Sequence, residues 1–275
     1  MVDVDLNNKD KKVIVIIPAR NESQFLNFTL TALKKQTLVP YRIIVVNDGS
    51  TDNTHDIAKK SNVDVIDLDD RGFRATGQPI LAYVINKGLE NILDNECQYI
   101  MILGADHILP SDYVSKLIGI MDANRSLVIT SGIIKGESQR DTSPRGSGRI
   151  VKYDFWKKLG LHYPTWYGFE SYIVYKALIE SYKIQVVRNA VSWSQRPTGK
   201  TTNYKSYGKA MRALGYHPLY AIGRITLTIK NNPKGAMNML LGYLHLRVKK
   251  YDIASDVCRF QFSEIKRKII SKFHL

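Results

Sequence analysis

Short runs of β-branched residues alternate with amphipathic segments along the first two thirds of the chain. The runs at 13–17 and 43–46 contain only Val and Ile, which is typical of strands buried on both faces of a parallel sheet. The same pattern predicts further strands over 63–67, 99–103, 127–133 and 184–187. It predicts helices over 23–36, 52–60, 79–93, 111–122, 153–159 and 170–181. Strands and helices therefore alternate, and we expect an α/β fold with a mostly parallel sheet flanked by helices.

The pattern changes beyond Pro197, where the sequence predicts only helices, over 202–214, 217–229, 233–249 and 252–272. The charge changes at the same place. Residues 196–275 contain 16 Lys and Arg against three acidic residues, whereas residues 1–195 contain 24 basic against 22 acidic residues. We therefore predict a nearly neutral domain over 1–195 and a basic helical region over 196–275.

Polar side chains follow the first two predicted strands. Arg20 and Glu22 come after the first strand, and Asn47 and Asp48 end the second. Because ligands of open α/β sheets bind at the carboxyl ends of the strands, we expect these side chains to share one site.

Segments 13–23 and 43–54 together resemble the opening of the family 2 glycosyltransferases, inverting enzymes of the GT-A fold that use nucleotide-sugar donors. Four more segments resemble later motifs of that family in the same order: 86–88, 99–110, 149–160 and 167–171. The resemblance covers roughly residues 11–195 and implies transfer of a sugar from a UDP- or GDP-sugar. The Gln-x-x-Arg-Trp motif of processive members is absent near Arg196, so a non-processive enzyme is expected.

The resemblance implies that Pro18, Arg20 and Glu22 line the nucleoside pocket, with Glu22 on the ribose or the base. A carboxylate in a dry crevice pairs well with a nucleobase N–H, so we expect Asp48 to bind the base or the ribose.

Arginines further along the chain are candidates for the base or the diphosphate. Arg71 or Arg74 follows the third strand, and we place Arg74 in the predicted donor-binding set. Arg196, with Lys200 nearby, is expected to clamp phosphate oxygens through its planar guanidinium. A simple junction between domains is the alternative for this segment.

A divalent metal, Mn²⁺ or Mg²⁺, is expected where the family carries an Asp-x-Asp motif. Asp106 matches the last Asp of that motif, Ala105 joins the donor-binding set, and Gly104 replaces the first carboxylate. His107 is a possible further ligand, more suitable for Mn²⁺ than for Mg²⁺. The alternative is that Asp106 caps the helix after Pro110.

Inverting transfer needs a base that takes the proton of the acceptor hydroxyl. Glu170 occupies the matching position, although the usual Glu-Asp pair is Glu170 and Ser171 here. Asp154 is a weaker substitute, and an acidic residue that complements a helix dipole is the alternative for Glu170. Trp166 and Tyr167 are candidates for stacking on a sugar.

The two cysteines, Cys97 and Cys258, are far apart, which argues against a disulfide framework or a zinc site and favours a reducing compartment. The first ten residues contain no apolar run, so no signal peptide is expected there, and no run of about 18 apolar residues occurs in the sequence. We therefore expect a cytoplasmic protein, peripheral on the inner face of the cell membrane. The apolar segment 235–250 is flanked by cations and is expected to meet anionic lipid. The alternative is a helix packed on the catalytic domain or against the second subunit of a homodimer.

Three functions are compatible with these patterns. The first is a metal-dependent inverting glycosyltransferase acting on a lipid-linked or glycan acceptor, with Glu170 as the general base. The second is a nucleotidyltransferase of similar fold, but the glycines of such enzymes are missing after Pro18. The third is a basic nucleic-acid-binding protein, suggested by the net charge of +15; most of that charge lies in residues 196–275 and no nucleic-acid motif accompanies it. We favour the glycosyltransferase.

Overall fold

The computed structural model describes residues 11–137, 139, 141, 143–196 and 203–273. The chain forms two compact units. The described residues of the first unit are those up to Ala75, those of Leu81–Tyr163 and those from Tyr182 to Arg196. The second unit contains Thr76–Ile80, Pro164–Ser181 and the described residues from 203 onward.

The first unit is built on a sheet whose described strands are β1 (Val13–Ala19), β2 (Arg42–Asp48), β3 (Asp64–Leu68), β4 (Tyr99–Ile102), β5 (His107–Ile108), β6 (Leu127–Ile134), β7 (Arg149–Lys152) and β8 (Lys183–Ser194). Their order is β3-β2-β1-β4-β7-β6-β8-β5. Strands β3, β2, β1 and β4 are mutually parallel, β7 is antiparallel to both of its neighbours, and β8 is parallel to β6. The predicted mostly parallel α/β sheet is confirmed.

Its helices are α1 (Leu26–Lys34), α2 (Thr54–Lys60), α3 (Ile80–Leu89), α4 (Tyr113–Asp122) and α5 (Tyr153–Lys158). Strand β1 has side chains buried on both faces, because successive residues of a strand point in opposite directions. Val13, Val15 and Ile17 join a core that also contains Leu30 of α1 and Leu117 of α4.

The opposite face of β1 is covered by α3. A Cβ at Gly88 would lie 2.6 Å from Cγ2 of Ile16, so only glycine allows this approach of helix and sheet. Asn86, two residues earlier, binds the backbone of Tyr163 twice: its Nδ2 donates to the carbonyl at 2.8 Å, and its Oδ1 accepts from the amide at 2.8 Å. The 86–88 motif therefore has a packing role in this unit.

The helices of the second unit are α6 (Phe169–Ile179), α7 (Tyr204–Ala213), α8 (Pro218–Ile229), α9 (Pro233–Tyr243) and α10 (Ala254–Phe273). Helices α7 and α9 touch backbone to backbone. A Cβ at Gly208 would lie 2.0 Å from the carbonyl oxygen of Met239, and one at Gly242 would lie 2.1 Å from that of Lys205. None of the helices that the structure describes combines the length and the apolar character needed to span a bilayer.

Several predicted elements differ from the observed ones. Strands β5 and β7 were not predicted from the sequence, and β8 extends to Ser194, well beyond the predicted 184–187. β7 begins with Arg149, a buried arginine whose Nη2 donates to the carbonyl of Pro144 at 2.6 Å, and such a residue does not resemble a strand position. Helix α9 ends at Tyr243, before the predicted residue 249. The boundary at residue 196 between a catalytic domain and a basic helical region stays a prediction.

Candidate functional site

The carboxyl ends of the parallel strands meet at one edge of the first unit. Arg20 and Glu22 follow β1, Asp48 ends β2, and Asp106 follows β4. Because β1, β2 and β4 run in the same direction, these side chains gather at that edge, as predicted. They form two groups, one around Asp48 and one around Glu22.

The first group surrounds the carboxylate of Asp48, whose side chain is 3% exposed. Arg71 donates to Oδ1 of Asp48. Arg20 donates to the backbone carbonyl of Asp48 and to the carboxylate of Asp70. The hydrogen bond from Arg20 lowers the pKa of Asp70. Since a buried carboxylate is costly without a partner, the ion pair with Arg71 offsets part of the cost of burying Asp48.

Gly49 brings the loop after β3 over Asp48. Its φ of +62° lies in the left-handed region, and a Cβ at this position would lie 2.4 Å from Cα of Asp70. A side chain at Gly49 would therefore push away the loop that carries Arg71. Asp70 was not predicted as a site residue; its position directly before Arg71 was the available signal.

The second group surrounds Glu22, whose side chain is 5% exposed. Its Oε1 accepts from Arg74 and, at 2.8 Å, from Nη2 of Arg196. Its Oε2 is buried and has no hydrogen-bond partner among the described residues. Burial raises the pKa of Glu22, and the hydrogen bond from Arg196 opposes that shift. Oε1 of Glu22 thus already accepts hydrogen bonds from two arginines, whereas Oε2 can accept one from a hydrogen-bond donor of a ligand.

Arg196 joins Glu22 to Asp106. Its Nε donates to Oδ2 of Asp106 at 2.8 Å, and the guanidinium lies over the ring of Phe25, 4.9 Å from its centroid. The amide of Gln195 donates to the carbonyl of Asp106 at 2.8 Å. The residues that follow β8 are therefore hydrogen-bonded to the loop after β4.

Both ring nitrogens of His107 form hydrogen bonds with serine hydroxyls. Its Nδ1 lies 2.6 Å from Oγ of Ser147, and its Nε2 lies 2.7 Å from Oγ of Ser192. Because the Ser192 hydroxyl donates to the carbonyl of Ile133, it accepts from His107, which assigns the proton to Nε2. Burial lowers the pKa of His107 to about 4, so the ring is neutral at physiological pH. In this structure His107 therefore holds the loop beside Asp106 through both ring nitrogens. The suggestion that it is a metal ligand stays a prediction.

The metal prediction depends on Asp106. Among the described residues no group of three or more His, Cys, Asp or Glu side chains could hold an ion. The side chain of Asp106 is 20% exposed at the crevice. Mg²⁺ is commonly held by one or two carboxylates together with substrate phosphates and water. The residues present fit an ion that a diphosphate helps to bind.

Pro18 lies in β1, and Ala105 lies in the loop after β4. Pro18 lies opposite Val46 in the β1–β2 register. Ala105 is buried, and its carbonyl accepts from Oγ1 of Thr29 at 2.8 Å, which fixes the loop before Asp106.

The predicted base and stacking residues lie in the second unit. Glu170 is in the first turn of α6, which begins after Gly168, a residue with a φ of +80°. Tyr167 accepts from Nζ of Lys209 at 3.2 Å, and the Nε1 of Trp166 donates to the carbonyl of Lys249 at 3.0 Å. The roles of Glu170, Trp166 and Tyr167 stay predictions, as does that of Asp154 on α5. Lys200 lies outside the described residues.

Comparison with known sequences and structures gives consistent matches. The sequence profile of a family described as Glycosyl transferase family 2 matches residues 14–180. The 4,4'-diaponeurosporenoate glycosyltransferase of Staphylococcus aureus (strain USA300) is 42% identical over 65 residues, which are 24% of this chain and 17% of that protein. The chain thus matches less than a fifth of the length of that curated relative.

Two solved structures share the fold. S. aureus TarS 1-349 in complex with UDP has a TM-score of 0.57 and 17% identity, over 82% of this chain and 68% of that one. The mannosyltransferase PcManGT from Pyrobaculum calidifontis, in complex with GDP-Man and Mn²⁺, has a TM-score of 0.57 and 16% identity, over 86% and 70%. These likenesses confirm the predicted GT-A fold with a helical C-terminal region.

Proposed function

The chain belongs to glycosyl transferase family 2, and we propose that it is an inverting glycosyltransferase that moves a sugar from a UDP- or GDP-sugar to a lipid-linked or glycan acceptor. One observation carries the proposal: two buried carboxylates, Asp48 and Glu22, lie at the carboxyl edge of the sheet and are each held by arginine.

The nucleoside would bind to the carboxylates. Asp48 accepts from a base N–H or a ribose hydroxyl, and the unpartnered Oε2 of Glu22 accepts a second one. Pro18, Ala105 and Arg20 shape the pocket around them. UDP and GDP are both candidate nucleotides, because TarS has been solved with UDP-GlcNAc and PcManGT with GDP-Man.

The diphosphate would bind to the arginines. Arg74 and Arg196 hold Glu22 and Asp106 without a ligand, and each guanidinium has further N–H groups for phosphate oxygens. Asp106 would hold Mn²⁺ or Mg²⁺ beside the diphosphate; PcManGT, which shares the fold, has been solved with GDP-Man and Mn²⁺. When bound, the ion neutralises charge that develops on the leaving diphosphate.

Glu170 would be the general base. The acceptor hydroxyl gives its proton to the carboxylate of Glu170 and attacks the anomeric carbon from the face opposite the diphosphate. The new C–O bond forms while the bond to the diphosphate breaks, so the anomeric configuration inverts. Inversion rests on family membership.

The setting of the reaction is also a proposal. Cys97 and Cys258 are both free thiols, which supports a reducing compartment such as the cytoplasm. The basic helical region supports peripheral attachment to the inner face of the cell membrane, close to a lipid-linked acceptor. The same region could form a homodimer instead; no nucleic-acid partner is proposed.

Turnover with a lipid-phosphate or glycan acceptor tests the proposal. The purified chain should release UDP or GDP from one sugar conjugate only when both acceptor and metal are present. Asp106→Asn should abolish this release. Glu170→Gln should lower turnover by about a hundredfold or more without changing donor affinity, whereas Glu180→Gln at the other end of α6 should leave it unchanged. Release of inorganic pyrophosphate would indicate a nucleotidyltransferase instead.

A further inference from the structure

Helices α8 and α9 leave large aliphatic side chains exposed. Between residues 219 and 246 these are Leu219, Ile222, Leu227, Ile229, Met237, Leu241, Leu244 and Leu246. The exposed fraction ranges from 49% for Ile229 to 80% for Leu246. A soluble protein rarely concentrates so many apolar side chains in one short segment of its surface without a partner.

The exposed residues are not the core side of these helices. Helix α9 packs on α7 through Gly208 and Gly242, and its Met239 joins Ala221 and Ile225 of α8 in a separate core. Met237, Leu241 and Leu244 recur at helical spacing on the other side of α9. The inner sides of α8 and α9 are therefore already packed within the second unit. Met237, Leu241 and Leu244 form an apolar stripe on the outer side of α9.

The charge around this stripe has one sign. Residues 203–251 contain nine Lys and Arg and no Asp or Glu. Lys230, Lys234, Lys249 and Lys250 are exposed among them. Helix α10 differs, because Arg259 and Arg267 pair with acidic residues three positions earlier in the same helix.

The segment after α9 is fixed in place. The carbonyl of Lys249 accepts from Nε1 of Trp166, and the amide of Tyr251 donates to the carbonyl of Ala213 at 2.8 Å. Leu246 and the two lysines at 249 and 250 are thus presented by an anchored backbone.

We propose that the outer surface of α8 and α9 together with residues 244–250, here called the apolar–basic face, docks on an anionic lipid bilayer. The aliphatic side chains enter the boundary between headgroups and acyl chains, and the lysines contact the anionic headgroups. A second copy of the chain fits less well, because a twofold interface would bring the same uncompensated cations together. The inference rests on the proposed function only in that it would hold the enzyme where a lipid-linked acceptor lies.

Vesicle co-sedimentation of the full chain, without nucleotide or acceptor, tests the face independently of catalysis. The chain should bind vesicles of phosphatidylcholine mixed with phosphatidylglycerol, should bind pure phosphatidylcholine far more weakly, and should be released by salt. Lys234→Gln, Lys249→Gln and Lys250→Gln together should weaken the partition by about a hundredfold, at about 1 kcal/mol per lysine. The matched control replaces three exposed lysines of the first unit, Lys35, Lys59 and Lys60, by Gln and should bind like the wild type.

A second pair of variants tests the apolar part. Leu241→Ser with Leu246→Ser should weaken binding by at least about tenfold. Val39→Ser with Leu93→Ser, which replaces equally exposed aliphatic residues of the first unit, should not. Equal binding by the variants of the face and their controls would overturn the proposal. So would a dimer in solution that the Leu241 and Leu246 changes dissociate while vesicle binding is absent. Wild-type nucleotide binding in the variants would show that the donor site is intact in either case.

Discussion

The Nε of Arg196 donates to Oδ2 of Asp106 at 2.8 Å, across 90 positions of the sequence. The same guanidinium donates to Oε1 of Glu22 at 2.8 Å. One cation thus links the carboxylate proposed for the metal to the carboxylate proposed for the nucleoside. A diphosphate bound between them would meet the remaining N–H groups of this guanidinium, so we propose that Arg196 couples donor binding to the arrangement of the site.

Arg196→Ala should weaken binding of the nucleotide-sugar by about tenfold to a hundredfold, because each charged hydrogen bond contributes about 1.5–3 kcal/mol. Arg196→Lys should recover part of the loss, since it restores the charge without the planar fork. Isothermal titration calorimetry measures both. Arg188→Ala, which removes an exposed arginine of β8, is the control. Equal affinities of the Arg196→Ala and Arg188→Ala proteins would contradict the assignment.

Asp48→Asn should affect both stability and nucleotide binding. The change keeps the volume but leaves the charge of Arg71 unpaired in a partly buried position, which should lower the free energy of unfolding by about 3 kcal/mol. Urea unfolding followed by circular dichroism measures this loss, and calorimetry measures the affinity for UDP and GDP. Asp56→Asn, an exposed acid of α2, is the control. A stable Asp48→Asn protein with unchanged affinity would contradict the assignment of Asp48 to the nucleoside site.

His107 should make the stability depend on pH. Burial lowers its pKa in the folded protein to about 4, whereas the unfolded chain titrates near 6.5. As the pH falls below 6.5, the unfolded state takes up a proton that the folded state does not. The contribution of neutral His107 to the free energy of unfolding is therefore fully present above pH 6.5. It falls by about 3 kcal/mol as the pH decreases from 6.5 to about 4.

The variant His107→Gln isolates this contribution. Gln can still donate to Ser192 but does not titrate, so its unfolding free energy should approach that of the wild type as the pH falls from 7 to 4. Urea unfolding at several pH values gives the difference. A difference that is constant with pH would mean that His107 is not buried as a neutral ring.

Gly88 should be required for packing of α3. In Gly88→Ala the new methyl group meets Cγ2 of Ile16 at 2.6 Å and Cγ2 of Val46 at 3.2 Å. Overpacking of this kind costs about 1–3 kcal/mol, more than the gain in helix propensity. Gly119→Ala in α4 meets nothing within 4 Å and should stabilise the protein by up to about 1 kcal/mol. Thermal unfolding of the two variants should shift in opposite directions; shifts of the same sign would contradict the packing role.

The sequence alone predicts the buried parallel strands β1 and β2, but it does not predict β7. Strands β1 and β2 were recognisable because their Val and Ile runs are buried on both faces. β7 was not, since its first residue is a buried arginine whose partner, the carbonyl of Pro144, is a tertiary contact. Periodicity cannot report such a contact.

The candidate site shows the same limit. Residue type and position at strand ends identified Asp48, Glu22 and Asp106 as neighbours. The pairing of each carboxylate with a particular arginine depends on loop conformation, for example on the positive φ of Gly49, and could not be predicted. His107 illustrates the converse: its chemistry suggested a metal ligand, and only its burial between Ser147 and Ser192 revealed a structural role.

Calorimetric titration of UDP, GDP and their common sugar conjugates into the wild-type chain, with and without Mn²⁺, tests the central claim most directly. One nucleotide class should bind, more tightly with Mn²⁺, and Asp106→Asn should abolish the difference that the metal makes. Absence of binding across the whole panel would contradict the assignment of this carboxylate and arginine crevice as a nucleotide-sugar site.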